Sequence, residues 1–226
     1  IEVWLEFRRV LFRSGKGVLE TLRKAKIKEV SKEEFVNETF EEAVFVHLNT
    51  MDYNARIDGT DFNKFEFYNQ PEFYISCFMD YAKYADIFIA GHYYIEGSPY
   101  LITKEDAKKT IFKIITIADI SCDIDGPIAC NIRSSEIETP IYGYNPHTEK
   151  EDDVTKNGVI AVMAVDNLAS ELPKDASEDF GENLIEKIFP LLLNEDNDEI
   201  IENATICQNG DLMQNFEYLR DYLNGN

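Results

Sequence analysis

The sequence predicts an α/β protein with a doubly wound parallel sheet. Short β-branched apolar runs alternate with helical segments along the chain, which is typical of repeated strand–helix–strand units. The runs are continuous rather than alternating, as in strands that are buried on both faces. The clearest run, 114–120, stops at a group of carboxylates and a Gly-Pro turn. A buried parallel strand ends in this way when it delivers acidic side chains to the carboxyl edge of a sheet, where open α/β folds bind ligands.

Five apolar runs are predicted as strands in chain order. Helical or loop segments separate them, and Thr103 begins the helix at 104–110 as an N-cap hydroxyl followed by acidic residues. The predicted strands are Ile27–Val30, Ala43–Leu48, Ala85–Gly91, Lys113–Ile120 and Val159–Val165.

The carboxy-terminal part predicts a long amphipathic helix from Asp175 towards Leu193, with Pro190 as a kink or an early end. A short strand at 203–208, a turn at Asn209-Gly210 and a final helix at 211–223 follow.

The segment 49–84 is too long and too aromatic for a plain connection. It could offer a stacking surface for a ring or pack a small core of its own, and we favour the separate core because aromatic side chains bury large areas.

Composition excludes several classes of function. The formal net charge is −21, which repels phosphate backbones and anionic membranes, so we expect neither a nucleic-acid partner nor a membrane partner. The four cysteines show no CxxC spacing, so no metal site is predicted, and they suit a reducing cytoplasmic location. No apolar run reaches membrane-spanning length.

The amino terminus differs from the rest of the chain. Residues 1–14 contain three arginines and the only tryptophan, and they look like a translated sequencing-adapter remnant. A genuine basic amphipathic arm is the alternative. We expect a non-native leader over 1–14, a nucleotide-binding domain over 15–174 with the aromatic insertion at 49–84, and a return to a substrate domain over 175–226.

Three stretches carry a family resemblance. Ile-Ser-Cys-Asp-Ile-Asp-Gly-Pro-Ile at 120–128, Glu-Thr-Pro-Ile-Tyr-Gly-Tyr-Asn-Pro at 138–146 and Val-Asp-Asn-Leu-Ala-Ser-Glu-Leu-Pro at 165–173 resemble the saccharopine dehydrogenase and lysine–ketoglutarate reductase branch of the alanine dehydrogenase family. The resemblance implies an NAD(P)-dependent oxidoreductase of lysine metabolism, acting on the CH–NH group of a small amino-acid substrate. It also implies a Rossmann-like domain that lacks its first native strand, with a carboxy-terminal piece of the substrate domain.

The family's catalytic lysine and histidine belong to an amino-terminal domain that this chain lacks. The resemblance therefore implies an amino-terminally truncated fragment that is inactive alone. A non-catalytic dinucleotide-binding or scaffolding module is the alternative, and the oligomeric state stays open.

The resemblance also implies a cofactor site for NAD or NADP at the carboxyl edge of the sheet. The family usually has proline where this chain has Ala169. A plain Asx turn is the alternative reading of Asp166 and Asn167, and a satisfied core or surface histidine is the alternative reading of His92. The candidate cofactor residues are Gly15, Gly17, Ser31, Gly91, His92, Tyr93, Asp119, Ser121, Asp166, Asn167 and Leu168.

Asp123 is the single catalytic candidate. If the strand continues to it, the period of two places Asp119, Ser121 and Asp123 on one face. The resemblance places Asp123 near the nicotinamide ring, where it would hold an imine or ammonium cation and steer proton transfer. The alternative is a carboxylate that caps the turn at Asp125-Gly126.

The choice between the two cofactors depends on the end of the second strand. NAD-preferring sites place an acidic residue there, whereas this chain has Ser31, followed by Lys32, which could pair with a 2′-phosphate. If the register is off by about two residues, Glu33 holds the ribose instead.

Overall fold

The computed structural model describes residues 13–92, 94–194 and 199–225. These fall into two compact units, which among the described residues are 13–166 and 167–225. Most of the predicted leader and Tyr93 lie outside the described residues. In the part of the chain that the structure describes, no helix is long and apolar enough to cross a membrane.

The first unit contains most of the regular structure and all of the main sheet. Its helices are α1 (Arg13–Lys24), α2 (Lys32–Asn37), α3 (Lys64–Asn69), α4 (Met79–Ala82) and α5 (Lys104–Lys108). Its strands are β1 (Lys28–Glu29), β2 (Val44–Phe45), β3 (Asn54–Arg56), β4 (Tyr74–Ser76), β5 (Ile87–Ala90), β6 (Thr116–Asp119), β7 (Ile141–Asn145), β8 (Lys150–Asp152) and β9 (Ile160–Met163).

The main sheet has five strands in the order β5-β6-β9-β7-β8. Strands β5, β6 and β9 run parallel, with Ala90 opposite Asp119 and Ala118 opposite Met163. Strands β7 and β8 pair antiparallel, and β7 is also antiparallel to β9. The fold is therefore α/β as predicted, but the expectation of a wholly parallel sheet is wrong because β7 and β8 form an added hairpin.

The predicted second and third strands do not join the main sheet in the described residues. They form a separate two-stranded parallel pair, β1 with β2. Strand β5 is consequently an edge of the main sheet, although its sequence is apolar and Ile87 is 61% exposed. Edge strands usually carry charged residues, so this edge is unusual.

The core lies among β5, β6, β9 and the loops that cross them. Its largest fully buried apolar side chains include Ile102, Ile114, Ile117 and Val162. Burial or half-burial on both faces thus explains the continuous apolar runs of β6 and β9, whereas β5 has an equally apolar run but is a partly exposed edge.

The β7–β8 hairpin is a feature that the sequence analysis did not predict. At its turn, Asn145 Oδ1 accepts hydrogen bonds from the backbone N–H groups of His147 and Thr148, at 3.0 and 3.3 Å. Lys104 and Lys108 of α5 both pair with Glu149 of this turn, at 3.0 and 2.5 Å. These contacts tie the hairpin to the helix between β5 and β6.

The aromatic segment contains the antiparallel pair β3–β4 and helix α3. Phe67, Tyr68 and Tyr74 form a buried cluster here, with Phe62 packed against it at edge-on and tilted ring angles. Tyr74 Oη also donates to the Glu66 carboxylate at 2.6 Å. The segment thus has a small core of its own.

The second unit is mostly helical. The predicted long helix consists of α7 (Pro173–Asn183), a π-helical segment and α8 (Phe189–Leu193), with Pro190 at the start of α8, where a missing N–H is tolerated. The other elements are α6 (Leu168–Glu171), α9 (Ile200–Ala204), β10 (Cys207–Gln208), β11 (Asp211–Leu212), a 3₁₀ segment (Gln214–Leu219) and α10 (Arg220–Leu223).

Two expectations for this unit are wrong. Of the predicted strand over 203–208, only Cys207 and Gln208 are strand, because residues 203–204 end helix α9, and the predicted helix over 211–223 begins as a strand. The turn at Asn209-Gly210 has positive φ at both residues, 54° and 86°, and it closes a β10–β11 hairpin. Asn-Gly turns of this kind favour hairpins, so Asp211 continues as a strand.

Candidate functional site

The carboxyl ends of β5, β6 and β9 form the candidate site. Because these strands are parallel and in register, they end at one edge of the sheet. The residues that follow them are Gly91 and His92, Ser121 to Asp123, and Asp166. Two contacts join these segments: Ser121 Oγ donates to the His92 carbonyl at 2.9 Å, and Cys122 Sγ donates to the Ala164 carbonyl at 3.1 Å.

Asp119 is buried at the end of β6, with 1% of its surface exposed. Its carboxylate accepts hydrogen bonds from Asn131 Nδ2 at 2.8 Å and from the Cys122 N–H at 3.1 Å. Burial raises the pKa of Asp119, and the hydrogen bonds from Asn131, Cys122 and Ser121 oppose that rise. The carboxylate is therefore held inside the protein, where its hydrogen bonds fix the loop after β6.

Asn131 connects Asp119 to a second buried group. Its side-chain oxygen lies 3.4 Å from Tyr142 Oη, whose single proton is shared between this oxygen and the nearer Cys130 carbonyl at 3.1 Å. Asn131 is completely buried. The network Asp119–Asn131–Tyr142 thus links the end of β6 to β7 beneath the site.

The loop after β6 does not continue as a strand. Cys122 has a positive φ of 54°, so the period of two that would place Asp119, Ser121 and Asp123 on one face ends at Asp119. A side chain on Gly126 would come within 2.6 Å of the Asp123 carbonyl oxygen, so the turn that follows requires glycine. Asp119 points into the protein, and Asp123 is carried outward by this turn.

Asp123 is half-buried in the loop after β6. Burial raises its pKa, and the neighbouring charge of Asp119 raises it further. Among the described residues, no hydrogen bond to its carboxylate is seen, whereas the Asp123 carbonyl accepts the Gly126 N–H at 3.0 Å. The backbone of Asp123 makes the turn, and the carboxylate itself stays available for a ligand.

His92 follows β5 and contacts Ser121. Its Nδ1 lies 3.4 Å from Ser121 Oγ, and burial lowers the pKa of the imidazole to about 4. The ring is therefore neutral at physiological pH. Tyr93, the next candidate, lies outside the described residues.

Gly15 and Gly91 bring two backbones together. A Cβ on Gly91 would lie 3.1 Å from the Gly15 nitrogen and 3.3 Å from its Cα, tighter than almost all real contacts. Gly15 and Gly17 both lie within α1, which begins at Arg13, rather than in a loop before it. After the Gly-Lys-Gly sequence, the apolar residues Val18 and Leu22 recur at helical spacing in the rest of α1.

A cleft of about 1030 Å³ opens beside the close contact between the Gly15 and Gly91 backbones. It is lined by α1, by the β1–β2 pair and by β5, including Gly15, Phe45, Phe88, Gly91 and His92. A largely preformed concave site of this size is typical of cofactor binding.

Asp166, Asn167 and Leu168 follow β9 and are exposed. Asp166 belongs to the first unit, and its charge helps burial and Asp119 to raise the pKa of Cys122 to about 11. Asn167 and Leu168 begin the second unit. Asn167 makes no side-chain cap to the helix that follows, so the Asx-turn alternative gains no support from a cap at this residue.

Ser31 is the N-cap of α2 and has a structural role. Its Oγ accepts the Glu34 N–H at 3.1 Å, and the Glu34 carboxylate accepts the Ser31 N–H at 2.7 Å. Lys32 is paired with Asp52 at 2.5 Å. Neither side chain is free to contact a 2′-phosphate without giving up these contacts.

No group of three or more potential metal ligands occurs in the described ranges.

Comparisons with known proteins identify relatives of the chain. It is 26% identical over 220 residues to the alpha-aminoadipic semialdehyde synthase, mitochondrial, of Rattus norvegicus, a match that covers 86% of this chain and 23% of the relative. It is 30% identical over 166 residues to the alpha-aminoadipic semialdehyde synthase of Arabidopsis thaliana, covering 70% of this chain and 16% of that protein. The chain is similar to alpha-aminoadipic semialdehyde synthases. No family model matches the chain.

The mouse protein of the same name, also mitochondrial, is 27% identical over 191 residues. The chain spans about a fifth of the length of the alpha-aminoadipic semialdehyde synthases that it matches, between 16% and 23%. The predicted cytoplasmic location stays a prediction, since the names of two of these synthases specify the mitochondrion.

Sequence analysis missed the buried residues beneath the site. Asn131 and Ser135 lie in a loop with no periodic pattern, yet each is at most 2% exposed. Ser135 Oγ accepts the Ala164 N–H at 3.0 Å and donates to the Pro140 carbonyl at 2.8 Å. The one available signal was that polar residues closely follow the buried Gly-Pro-Ile stretch at 126–128.

Proposed function

We propose that this chain is the dinucleotide-binding part of an NAD(P)-dependent oxidoreductase that acts on the CH–NH group of a lysine-derived amino acid, with saccharopine as the substrate. The main support is the contact between Ser121 and His92 at the carboxyl ends of the adjacent parallel strands β5 and β6, with Gly91 and Asp123 in the same two loops. The similarity to alpha-aminoadipic semialdehyde synthases supports the same class of chemistry, because that name describes the aldehyde of an amino acid.

The residues present fit a dinucleotide. Gly91 lets the end of β5 pack closely against the Gly15 backbone of α1, and close packing of the helix on the strand is one of the roles that glycines have in dinucleotide-binding folds. In this proposal Gly15, Gly17 and Gly91 approach the phosphates. His92, Ser121 and Asp166 lie towards the nicotinamide ribose. The Rossmann-like character of the domain is part of the proposal.

A bound nicotinamide would supply the hydride acceptor or donor. The chain's own contribution is Asp123, whose raised pKa brings the carboxyl closer to the working range of a general acid or base. Its negative charge would also hold a substrate ammonium or imine cation. Asp119, which is fully buried and hydrogen-bonded, would position the loop that carries Asp123.

In this proposal the chain binds both NAD and NADP. Ser31 does not repel a 2′-phosphate as an acidic side chain would, but Lys32 is already neutralised by Asp52. The extra affinity for NADP is therefore modest. Glu33 is exposed in the first turn of α2 and remains the alternative ribose ligand.

The proposal is tested by titrating the purified chain with NADH and with NADPH and following the nicotinamide fluorescence. We expect saturable binding of both. Gly91→Val should abolish it, because the valine methyls enter the space beside Gly15. The matched control is Gly181→Ala, since a Cβ there meets nothing within 4 Å and Gly181 lies in the second unit. A folded chain that binds neither dinucleotide would contradict the proposal.

Activity gives a second test. We expect residues 1–226 alone to turn over no saccharopine with either dinucleotide, because the family resemblance assigns the catalytic lysine and histidine to a domain other than the one that these residues form. A cofactor-dependent absorbance change with the purified chain would show that the catalytic groups lie within these residues.

A further inference from the structure

Three buried polar atoms without hydrogen-bond partners surround one small cavity. They are Asn54 Oδ1, His92 Nε2 and Ser98 Oγ, and they are three of the four such side-chain atoms among the described residues. All three residues line the same cavity of about 20 Å³. Asn54 is only 4% exposed, so bulk water does not satisfy its side-chain oxygen. An unpaired buried polar atom costs about 1–3 kcal/mol, so three at one place indicate a shared ligand.

The size of the cavity identifies the class of ligand. A site needs about 10–15 Å³ of space for the centre of a water molecule, together with two to four polar partners, to hold one water. The cavity meets both conditions for a single water. It is too small for a substrate or a cofactor group with several heavy atoms.

The hydrogen-bond directions are set by the surrounding contacts. Asn54 Nδ2 donates to the Thr50 carbonyl at 2.9 Å, so Asn54 Oδ1 is an acceptor. Ser121 has one hydroxyl proton, and its acceptors are the His92 carbonyl at 2.9 Å and the Asp119 carboxylate, so this proton does not point to His92 Nδ1. The 3.4 Å contact between Ser121 Oγ and His92 Nδ1 must then have Nδ1–H as its donor. In the neutral ring this leaves Nε2 as an acceptor.

We propose that this cavity binds one ordered water, which donates hydrogen bonds to Asn54 Oδ1 and His92 Nε2 and accepts one from Ser98 Oγ. The water satisfies all three atoms with its two protons and a lone pair. It joins β3 of the aromatic segment to the residues after β5. It also holds His92 in the Nδ1–H tautomer, which makes His92 a positioning residue for Ser121. This proposal stands whether or not the chain binds a dinucleotide.

The test combines crystallography with NMR. In a crystal structure of the chain, we expect an electron-density peak within hydrogen-bond distance of all three atoms. In long-range ¹H–¹⁵N correlation spectra, we expect His92 to carry its proton on Nδ1. Ser98→Ala should weaken the peak while leaving the fold intact, and Asn54→Leu should remove it and shift the His92 signals.

Tyr144→Phe is the matched control, because it removes the fourth unpartnered oxygen at a residue that does not line this cavity. We expect it to leave both the peak and the His92 spectrum unchanged. A dry cavity, or a proton on Nε2 donated directly to Asn54 Oδ1, would overturn the proposal.

Discussion

Replacing Asn131 with alanine should destabilise the chain through Asp119. The substitution removes the 2.8 Å hydrogen bond from Asn131 Nδ2 to a carboxylate that is 1% exposed. A hydrogen bond to a charged group contributes about 1.5–3 kcal/mol, and a buried charge that loses its partner cannot recover the difference from water. We therefore expect the free energy of unfolding to fall by roughly 2–3 kcal/mol at pH 7, or about 4–12 °C in melting temperature for a chain of this size.

The loss should depend on pH in a definite direction. Burial raises the folded-state pKa of Asp119 above its ordinary value of 3.8, so the native chain takes up a proton there at a higher pH than the unfolded chain does. The stability contributed by this group is fully present below about pH 3.8 and is lost as the pH rises through the folded pKa. The hydrogen bond from Asn131 stabilises the ionised Asp119 carboxylate and so reduces this loss of stability. The cost of Asn131→Ala should therefore be full at pH 7 and shrink as the pH falls through the folded pKa of Asp119.

The assay is urea unfolding followed by far-ultraviolet circular dichroism at pH 7 and near pH 4. Asn69→Ala is the control, because it removes an exposed hydrogen bond of 2.7 Å from Asn69 Nδ2 to the Phe65 carbonyl, and it should change stability by less than about 0.5 kcal/mol. In an Asp119→Asn background, Asn131→Ala should cost only about 1 kcal/mol, since the carboxylate is gone. Equal losses at both pH values, or a loss at pH 7 no larger than that of the control, would refute the reasoning.

Three further predictions follow from the same structure. Gly143→Ala should lower the stability by about 1–3 kcal/mol in urea titrations, because a Cβ there would overlap the Asp152 carbonyl oxygen of β8, whereas Gly181→Ala should raise it by about 0.5–1 kcal/mol. Asp123→Asn, introduced into an active protein that contains this chain, should lower kcat by about a hundredfold or more. Its circular dichroism spectrum should be unchanged. Activity within a fewfold of the parent would leave Asp123 as a turn residue. Ser31→Asp should move the ratio of kcat/KM for the two cofactors towards NAD, since aspartate repels a 2′-phosphate and can still cap α2. If the parent uses only NAD and Ser31→Asp does not change this, the ribose is bound by Glu33 instead.

Local pattern was sufficient for the parallel strands. The runs around Ile87, Ile117 and Val162 were predicted as strands, and each lies in the main sheet within one to three residues of its predicted ends. They were visible because a strand buried on both faces must be apolar at every position. The same reasoning predicted that polar residues would follow β5, β6 and β9, and the contact between Ser121 and His92 joins two of these segments.

The sequence by itself therefore determined the α/β class, the parallel strands and the edge at which the candidate site lies. These features follow from the positions of the apolar residues along the chain, because apolar residues are buried away from water. Tertiary structure alone decided the rest. The direction of β7, the burial of Asn131 and the separate β1–β2 pair depend on partners distant in the chain. The different environments of Asp119 and Asp123 arise in the same way: four residues apart, one is enclosed by Asn131 while the other lies in the loop beyond the left-handed backbone at Cys122. A local pattern has no information about such distant packing, and that packing decides which carboxylate is available to a ligand.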